Sequence, residues 1–287
     1  MLVLYLSIVG LCIMKQINIK GESQMKKSFL TVLVLMLVIP TLAMAEHFWV
    51  GVFAKGTPYM EQSFISSAKL GNFNYAIEKE WENGFDIIDI EYGNDRWMAI
   101  SAKGTGYRQQ VYVHKRDWKK FEAAVEVYKK QGFDLLNVEN GKGYWLGILV
   151  KGSKYTDVTL KNIRYWDEFQ KEIRKQWKAG YHLLDVEPAE GTWIGIFAKN
   201  TGFAAQSYDS LDDWSGVPMA IEKRWKDGYR INSIEYGGGR WFCLFVKDSK
   251  KAEGSYISNS EIPDFRKSMH KQWDKGYHLI DLAHGRD

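Results

Sequence analysis

The stretch from Ile77 to Tyr107, IEKEWENGFDIIDIEYGNDRWMAISAKGTGY, decides the fold, because almost every mark in it returns at a fixed interval. Its Trp97 belongs to the series Trp49, Trp97, Trp145, Trp193 and Trp241, each 48 residues from the next. Its Lys103 belongs to Lys55, Lys103, Lys151, Lys199 and Lys247, and its Gly84 to Gly84, Gly132, Gly180, Gly228 and Gly276, at the same 48-residue spacing. A period of this length marks a repeat architecture, in which each unit buries its apolar face against its neighbours. The twelve tryptophans fall into three columns of that frame. Recurrence in unit after unit reads them as core rather than as a ligand-reading surface.

Within the quoted stretch, FDIIDIE from Phe85 reads as a first strand, A, and WMAISAK from Trp97 as a second, B, joined by a short loop at Tyr92 to Arg96. Paired as an antiparallel hairpin, they are expected to set Glu91 opposite Trp97, Asp89 opposite Ala99 and Ile87 opposite Ser101. Gly56, Gly104, Gly152, Asn200 or Asp248 follows the lysine. These residue types tolerate positive φ, and they predict a tight hairpin into a third strand, C. Before the glycine, the stripe Phe73-Ile77-Trp81, repeated as Phe169-Ile173-Trp177, Val217-Ile221-Trp225 and Phe265-Met269-Trp273, predicts a helix closed by a left-handed glycine cap. In the second unit Phe121-Val125 continues to Lys129, with Tyr128 as the substitute.

The expected fold is therefore an α+β repeat protein of five β-β-β-α units of 48 residues. They are expected to form a closed propeller-like or barrel-like ring, with an open curved half-barrel solenoid as the alternative. Residues 46–287 read as a single domain whose last unit is shared between both termini, strand B coming from the start and strand A from the end. A terminal strand paired with the other terminus removes exposed edges.

Ahead of the repeats, residues 25–45, MKKSFLTVLVLMLVIPTLAMA, carry two lysines, an apolar run, Pro40 and Ala43-Met44-Ala45. This is the pattern of an exported chain's signal peptide, with cleavage after Ala45. Residues 1–24 read as a mis-assigned upstream start. The expected localisation is secreted or periplasmic, with no membrane span after cleavage. Without residues 1–45 the chain has 35 basic and 34 acidic residues, a formal charge of +1, so no nucleic-acid partner is expected. Cys243 alone remains, and such an exported chain folds without an internal disulfide.

KGTGYRQQVYV from Lys103, FAKNTGFAAQSYDS from Phe197 and IEKRWKDGYRINSIEYGGGRW from Ile221 resemble a tandem-repeat domain marked by W-x-x-G-[YF]. It is found after the kinase domain of plant casein-kinase-1-like proteins and beside the hydrolase domain of polyglycine hydrolases. The resemblance covers all five units and implies the repeat fold, with a half-barrel favouring the open alternative. It supplies no catalytic residue, because the hydrolase chemistry belongs to a domain with no counterpart here.

Chemistry is sparse in the rest. The chain has no Gly-rich phosphate loop, H-E-x-x-H, paired Cys motif or G-x-S-x-G. Only His182 and His278 share a repeat position, so neither a metal nor another cofactor is expected. Cys243 stands where other units have Gly or Ala and reads as a space-filler. The recurring Glu91, Glu139, Glu187 and Glu235, with Asp89, Asp185 and Asp281, could act as paired acids on a glycoside. Their recurrence favours hydrogen bonding to neighbouring backbone or to tryptophan N–H. The candidate ligand-binding set is the hairpin column: Lys55, Lys103, Lys151 and Lys199, Thr105 and Thr201, Tyr59, Tyr107 and Phe203, and Gln62, Gln110 and Gln206. Amines, hydroxyls and aromatics in such a column suit a glycan, an envelope polymer or a protein ligand bound at several weak sites. The expected function is an exported non-enzymatic repeat module for binding or scaffolding at the cell envelope. A carbohydrate- or peptidoglycan-active enzyme using the strand carboxylates is the alternative.

Overall fold

A computed structural model describes residues 46–248 and 253–287, which lie within one compact unit spanning Ala45–Asp287. The signal-peptide and upstream-start assignments fall outside the described residues. The chain alternates strands and helices: β1 (His47–Ala54), β2 (Gln62–Ser67), α1 (Leu70–Glu82), β3 (Asp86–Gly93), β4 (Arg96–Ala102), β5 (Gln109–Lys115), α2 (Trp118–Lys129), β6 (Asp134–Gly141), β7 (Tyr144–Lys151) and β8 (Thr156–Ile163). It continues with α3 (Trp166–Lys178), β9 (His182–Ala189), β10 (Thr192–Lys199), β11 (Phe203–Leu211), α4 (Gly216–Lys226), β12 (Arg230–Gly237), β13 (Arg240–Asp248), β14 (Gly254–Asn259), α5 (Ile262–Asp274) and β15 (His278–Arg286). Each helix ends as its sequence predicts. After α1, Gly84 takes a φ of 77° and the Phe85 N–H reaches back to the Glu80 carbonyl at 2.9 Å.

The strands form five separate three-stranded antiparallel sheets, ordered β2-β4-β3, β5-β7-β6, β8-β10-β9, β11-β13-β12 and β14-β1-β15. The repeat unit is thus real, but its wiring differs from the expected hairpin succession. Strand C does not pair with the strand B it follows; β5 joins β7 of the next sheet instead. Both edges of β4 are already taken, one by β3 and the other by β2. The loop ahead of β2 adds to that second edge, with Met60 N–H to Lys103 C=O at 3.0 Å and Lys103 N–H to Glu61 C=O at 2.9 Å. β5 has nothing left to bond to on β4. Among the described residues no sheet closes on itself, so a hydrogen-bonded barrel is not what these strands build.

The hairpin register also differs from expectation. Tyr92, not Glu91, faces Trp97, and Glu91 faces Met98. The turn is only two residues, Asn94 and Asp95, both at positive φ (44° and 58°), the geometry of the tight turn that fits twisted strands. A bulge at Ile88 then absorbs one residue, which restores Ile87 opposite Ser101. Every strand A has the same bulge, leaving Leu136, Leu184, Asn232 and Ile280 as the extra residues. The carboxylates therefore share a face with Met98 and Ile100 rather than with Trp97.

Five apolar clusters join the units. In one, Trp97, Ala99, Ile87 and Ile90 pack with Phe73 and Ile77 of α1 on one side, and with Leu146, Ile148 and Val150 of the following sheet on the other. Corresponding clusters join the second sheet to the third, the third to the fourth and the fourth to β1. In the last, Trp49, Phe53, Phe265 and Leu279 pack with Met98 and Ile100 of β4. All five strand-B tryptophans are buried, as the recurring column implied.

A volume rule operates inside these clusters. Strand B carries Gly51, Gly147 and Gly195 beneath a helix phenylalanine, and a Cβ on Gly147 would come within 2.8 Å of Phe121. In the fourth unit, Cys243 fills that position and Val217 replaces the phenylalanine, both fully buried. Cys243 is the space-filler its sequence position implied, and burial pushes its thiol up, away from reactivity. Gly147→Val should lower stability by roughly 1–3 kcal/mol through overpacking. Val217→Phe should do the same, and adding Cys243→Gly should recover most of the loss. Urea denaturation of the single and double variants checks this; additive losses would contradict it.

Candidate functional site

The inner strands β3, β6, β9, β12 and β15 lie beside one another in that order, and β15 also lies beside β3. Close approach is enforced by small residues. A Cβ on Gly141 would meet Tyr92 at 2.3 Å, one on Gly237 would meet Pro188 at 2.3 Å, and one on Gly93 would meet His284 at 2.0 Å. Carboxylates tie these strands together. Asp185 accepts the Val138 N–H at 3.0 Å, Asp281 the Ile234 N–H at 2.9 Å, and Asp89 the Leu282 N–H at 2.6 Å. Glu187 accepts from Asn140 N–H at 3.2 Å and Glu91 from His284 N–H at 2.9 Å. Pro188 occupies the repeat position of Asn140 and His284, so Glu235 has no such donor there. The backbone role expected of the acids holds for these five and for Glu139, which accepts the Asn140 N–H at 3.1 Å. The tryptophan N–H role does not: the buried Trp97, Trp145 and Trp241 indole nitrogens have no hydrogen-bond partner among the described residues.

At one end of the inner strands lies a pocket of about 370 Å³. Its floor holds Asp89, Asp185, Asp281 and Asn137, all at one repeat position. Its walls are the bulge residues Ile88, Leu136, Leu184, Asn232 and Ile280, turned there because the bulge lets Ile87 and its equivalents enter the core instead. Its rim carries Tyr59, Tyr107 and Tyr155 from the loops after β1, β4 and β7, and Phe203 from the start of β11. The Arg230–Asp248 ion pair, at 2.9 Å, completes one side.

Of the residues singled out from sequence, Lys55, Tyr59, Tyr107, Thr201 and Phe203 meet in this pocket. The remaining lysines lie elsewhere, each against the aromatic residue that opens a strand A. Lys103 sits 4.6 Å from the Phe85 ring centroid, Lys151 4.4 Å from Phe133 and Lys199 4.6 Å from Tyr181. Lys103 and Lys199 also pair with Glu61 and Asp157, both at 3.0 Å. Such solvent-exposed contacts contribute little to stability. Thr105 donates to Asp86 and accepts the Tyr107 N–H at 3.1 Å, shaping the loop that presents Tyr107. Thr201 plays the same part for Phe203, with its hydroxyl 2.6 Å from His182 Nδ1.

The glutamines are clamps. Gln110 accepts the Ile87 N–H and the Trp81 indole N–H, both at 2.7 Å, and donates to the Ile87 carbonyl at 2.7 Å. Its amide thus serves the backbone groups beside the bulge, where the ladder is interrupted. Gln206 does the same at Leu183 with Trp177, and Gln62 at Leu279. Sequence reasoning missed the bulge residues and Asn137. The available signal was the apolar doublet Ile87-Ile88, repeated as Leu135-Leu136 and Leu183-Leu184, which breaks strand alternation.

Burial raises the whole acid group. It holds the Asp185 carboxyl at about 7, against N–H donors from Val138 and Val186 that pull it down. It pushes Asp89, Glu91, Glu139, Glu187, Glu235 and Asp281 well up, helped for most of them by neighbouring carboxylates. The phenols of Tyr59, Tyr107 and Tyr155 are raised for the same reason, desolvation. Burial lowers His114, His182, His278 and His284, the last to about 4. Among the described residues, no three or more His, Cys, Asp or Glu are arranged to hold a metal ion, and no helix is long and apolar enough to cross a membrane.

A raised carboxyl binds its proton more tightly folded than unfolded, so its stabilisation is complete at low pH and lost as pH rises through the folded value. For Asp185 that window runs from 3.8 to about 7. The lowered histidines act oppositely, losing stabilisation as pH falls below 6.5. Above pH 6.5 the histidine contribution fades as the unfolded imidazoles finish losing their protons, and the more numerous raised acids set the sign. The urea midpoint should therefore be higher at pH 6.5 than at pH 8, with a smaller difference in Asp185→Asn. A midpoint that rises with pH over this range would refute it. Separately, Gln110→Ala strands buried backbone groups and should cost about 1–3 kcal/mol by the same assay.

The family described as Domain of unknown function (DUF7477) matches residues 41–236, a span from before β1 nearly to the end of β12. Comparison with curated proteins finds no match.

Proposed function

The chain belongs to the DUF7477 family, whose description assigns no activity, and from that premise we propose that it is an exported, non-catalytic binding module of the cell envelope. The five units form a closed ring around the inner strands, and the ligand site is the pocket at one end of that ring. Closure is supported by the packing of Met98 and Ile100 against Trp49 and Phe53, and by Leu282 N–H donating to Asp89. The W-x-x-G-[YF] resemblance fits a repeat scaffold of this kind.

One observation carries the binding reading: Tyr59, Tyr107, Tyr155 and Phe203 converge on a single pocket with a polar floor. Aromatic faces beside hydrogen-bonding acids suit a saccharide unit, whose C–H faces stack and whose hydroxyls donate to carboxylates. The volume falls in the range of small-molecule pockets, about 300–1,000 Å³. Three aspartates in one pocket also favour the glycoside-hydrolysing alternative. Against it, both Asp89 oxygens are engaged, one by Leu282 N–H and the other by Asn137 Nδ2 at 2.7 Å.

The expected outcome is saturable binding of envelope glycan fragments that Tyr107→Ala with Tyr155→Ala abolishes, and that Lys103→Ala with Lys199→Ala leaves intact. Glycan arrays followed by calorimetry check it, and reducing-end release on incubation would select the enzymatic alternative. For closure, Met98→Ala should cost about 2–5 kcal/mol, comparable to Leu146→Ala. A Met98 cost near zero would indicate an open array.

A further inference from the structure

The binding reading leaves the ligand's charge open, and the pocket floor bears on it. Three of five equivalent floor positions are aspartates, and among the described residues no ion pair reaches Asp89, Asp185 or Asp281. The fourth, Asn137, is 6% exposed and donates Nδ2 to Asp89, while its Oδ1 has no partner among the described residues. A buried acceptor of this kind calls for a donor. The cationic side chains of the pocket lining are committed elsewhere or stand at the mouth. Arg230 is paired with Asp248 at 2.9 Å, and Lys55 with Glu253 at 2.9 Å. Lys154 is exposed, its Nζ 5.5 Å from the Tyr155 ring centroid.

The floor thus combines several acids with an unmet amide oxygen beneath a ring of four aromatic side chains. A neutral hydroxyl would satisfy the amide and leave the acids in the protonated form that burial favours. An ammonium supplies N–H donors to the amide and carboxylates, and charge to the aromatic faces. Four aromatic side chains beside the acids suit an organic cation, whose charge can lie against ring faces. We propose that this pocket selects a ligand bearing a compact ammonium group, with an amino sugar as its chemical class. This rests on the binding reading above and narrows it.

Burial that holds Asp185 at about 7 adds a second readout, since a bound ammonium favours the carboxylate and expels its proton. The charged groups facing the floor are the three aspartates of β3, β9 and β15, with Arg230, Asp248, Lys55 and Lys154 from the surrounding strands and loops. The test is titration calorimetry of the full chain at pH 7 with glucosamine, N-acetylglucosamine and choline, in two buffers of different ionisation enthalpy. Glucosamine should bind at least tenfold more tightly than N-acetylglucosamine, with an enthalpy that shifts between buffers as protons are released. Asp185→Asn and, independently, Tyr155→Leu should each weaken it at least tenfold, with circular dichroism confirming the fold. Equal binding of glucosamine and N-acetylglucosamine would overturn the ammonium assignment and leave the saccharide pocket standing. Choline bound without either sugar would uphold the ammonium site and remove the saccharide reading. Binding of none of the three would remove both.

Discussion

Each inner strand has to hold two apolar residues three positions apart, Ile87 and Ile90 on β3, on the same core face, and the bulge that does so is the constraint on which the rest depends. Without the extra residue at Ile88, strict alternation would carry Ile87 to the face opposite Ile90. The bulge lets Ile87 enter the core under α1 while Ile88 lines the pocket. It also interrupts the backbone ladder, and the Gln110 amide fills the gap with three hydrogen bonds. Gln110 lies on β5 of the next sheet, so the repair of a local defect is at the same time a joint between units.

From that joint the remaining geometry follows. Once the bulge has set the register, Asp89 and its equivalents stand toward the neighbouring inner strand and accept its N–H groups. The acids are buried by the same packing that makes these bonds, which is why their carboxyls are raised. The loop aromatics are carried over the floor by the Thr105 and Thr201 hydroxyls that brace each loop. Core packing and pocket construction are thus one set of interactions.

Departures from the repeat are equally informative. Asn137 interrupts the aspartate column, donates to Asp89 and leaves an acceptor in the floor. Val217 and Cys243 change together, trading a helix ring for a strand thiol at nearly constant volume. Pro188 withdraws a donor from Glu235. A perfectly regular repeat would offer five equal positions around the pocket, and these substitutions give it a direction.

The 48-residue period, the helix stripes, the glycine caps and the buried tryptophan column were legible in the chain because they depend on local residue type and spacing. The same holds for the loop tyrosines and Phe203, which stand out as recurring aromatics without a helical stripe. Strand pairing was not legible, since which edge of β4 is free depends on the sheet's other members and not on β4 or β5. That Lys103, Lys151, Lys199 and the glutamines lie outside the pocket was hidden for a related reason: an amine or amide beside a hairpin looks solvent-facing until the next unit's aromatic ring or bulge arrives against it. Sequence by itself determined that five like units exist and what each is made of. Only tertiary structure decided which side chains those units spend on one another and which they bring to the pocket, because that division is made by contacts 48 or more residues apart.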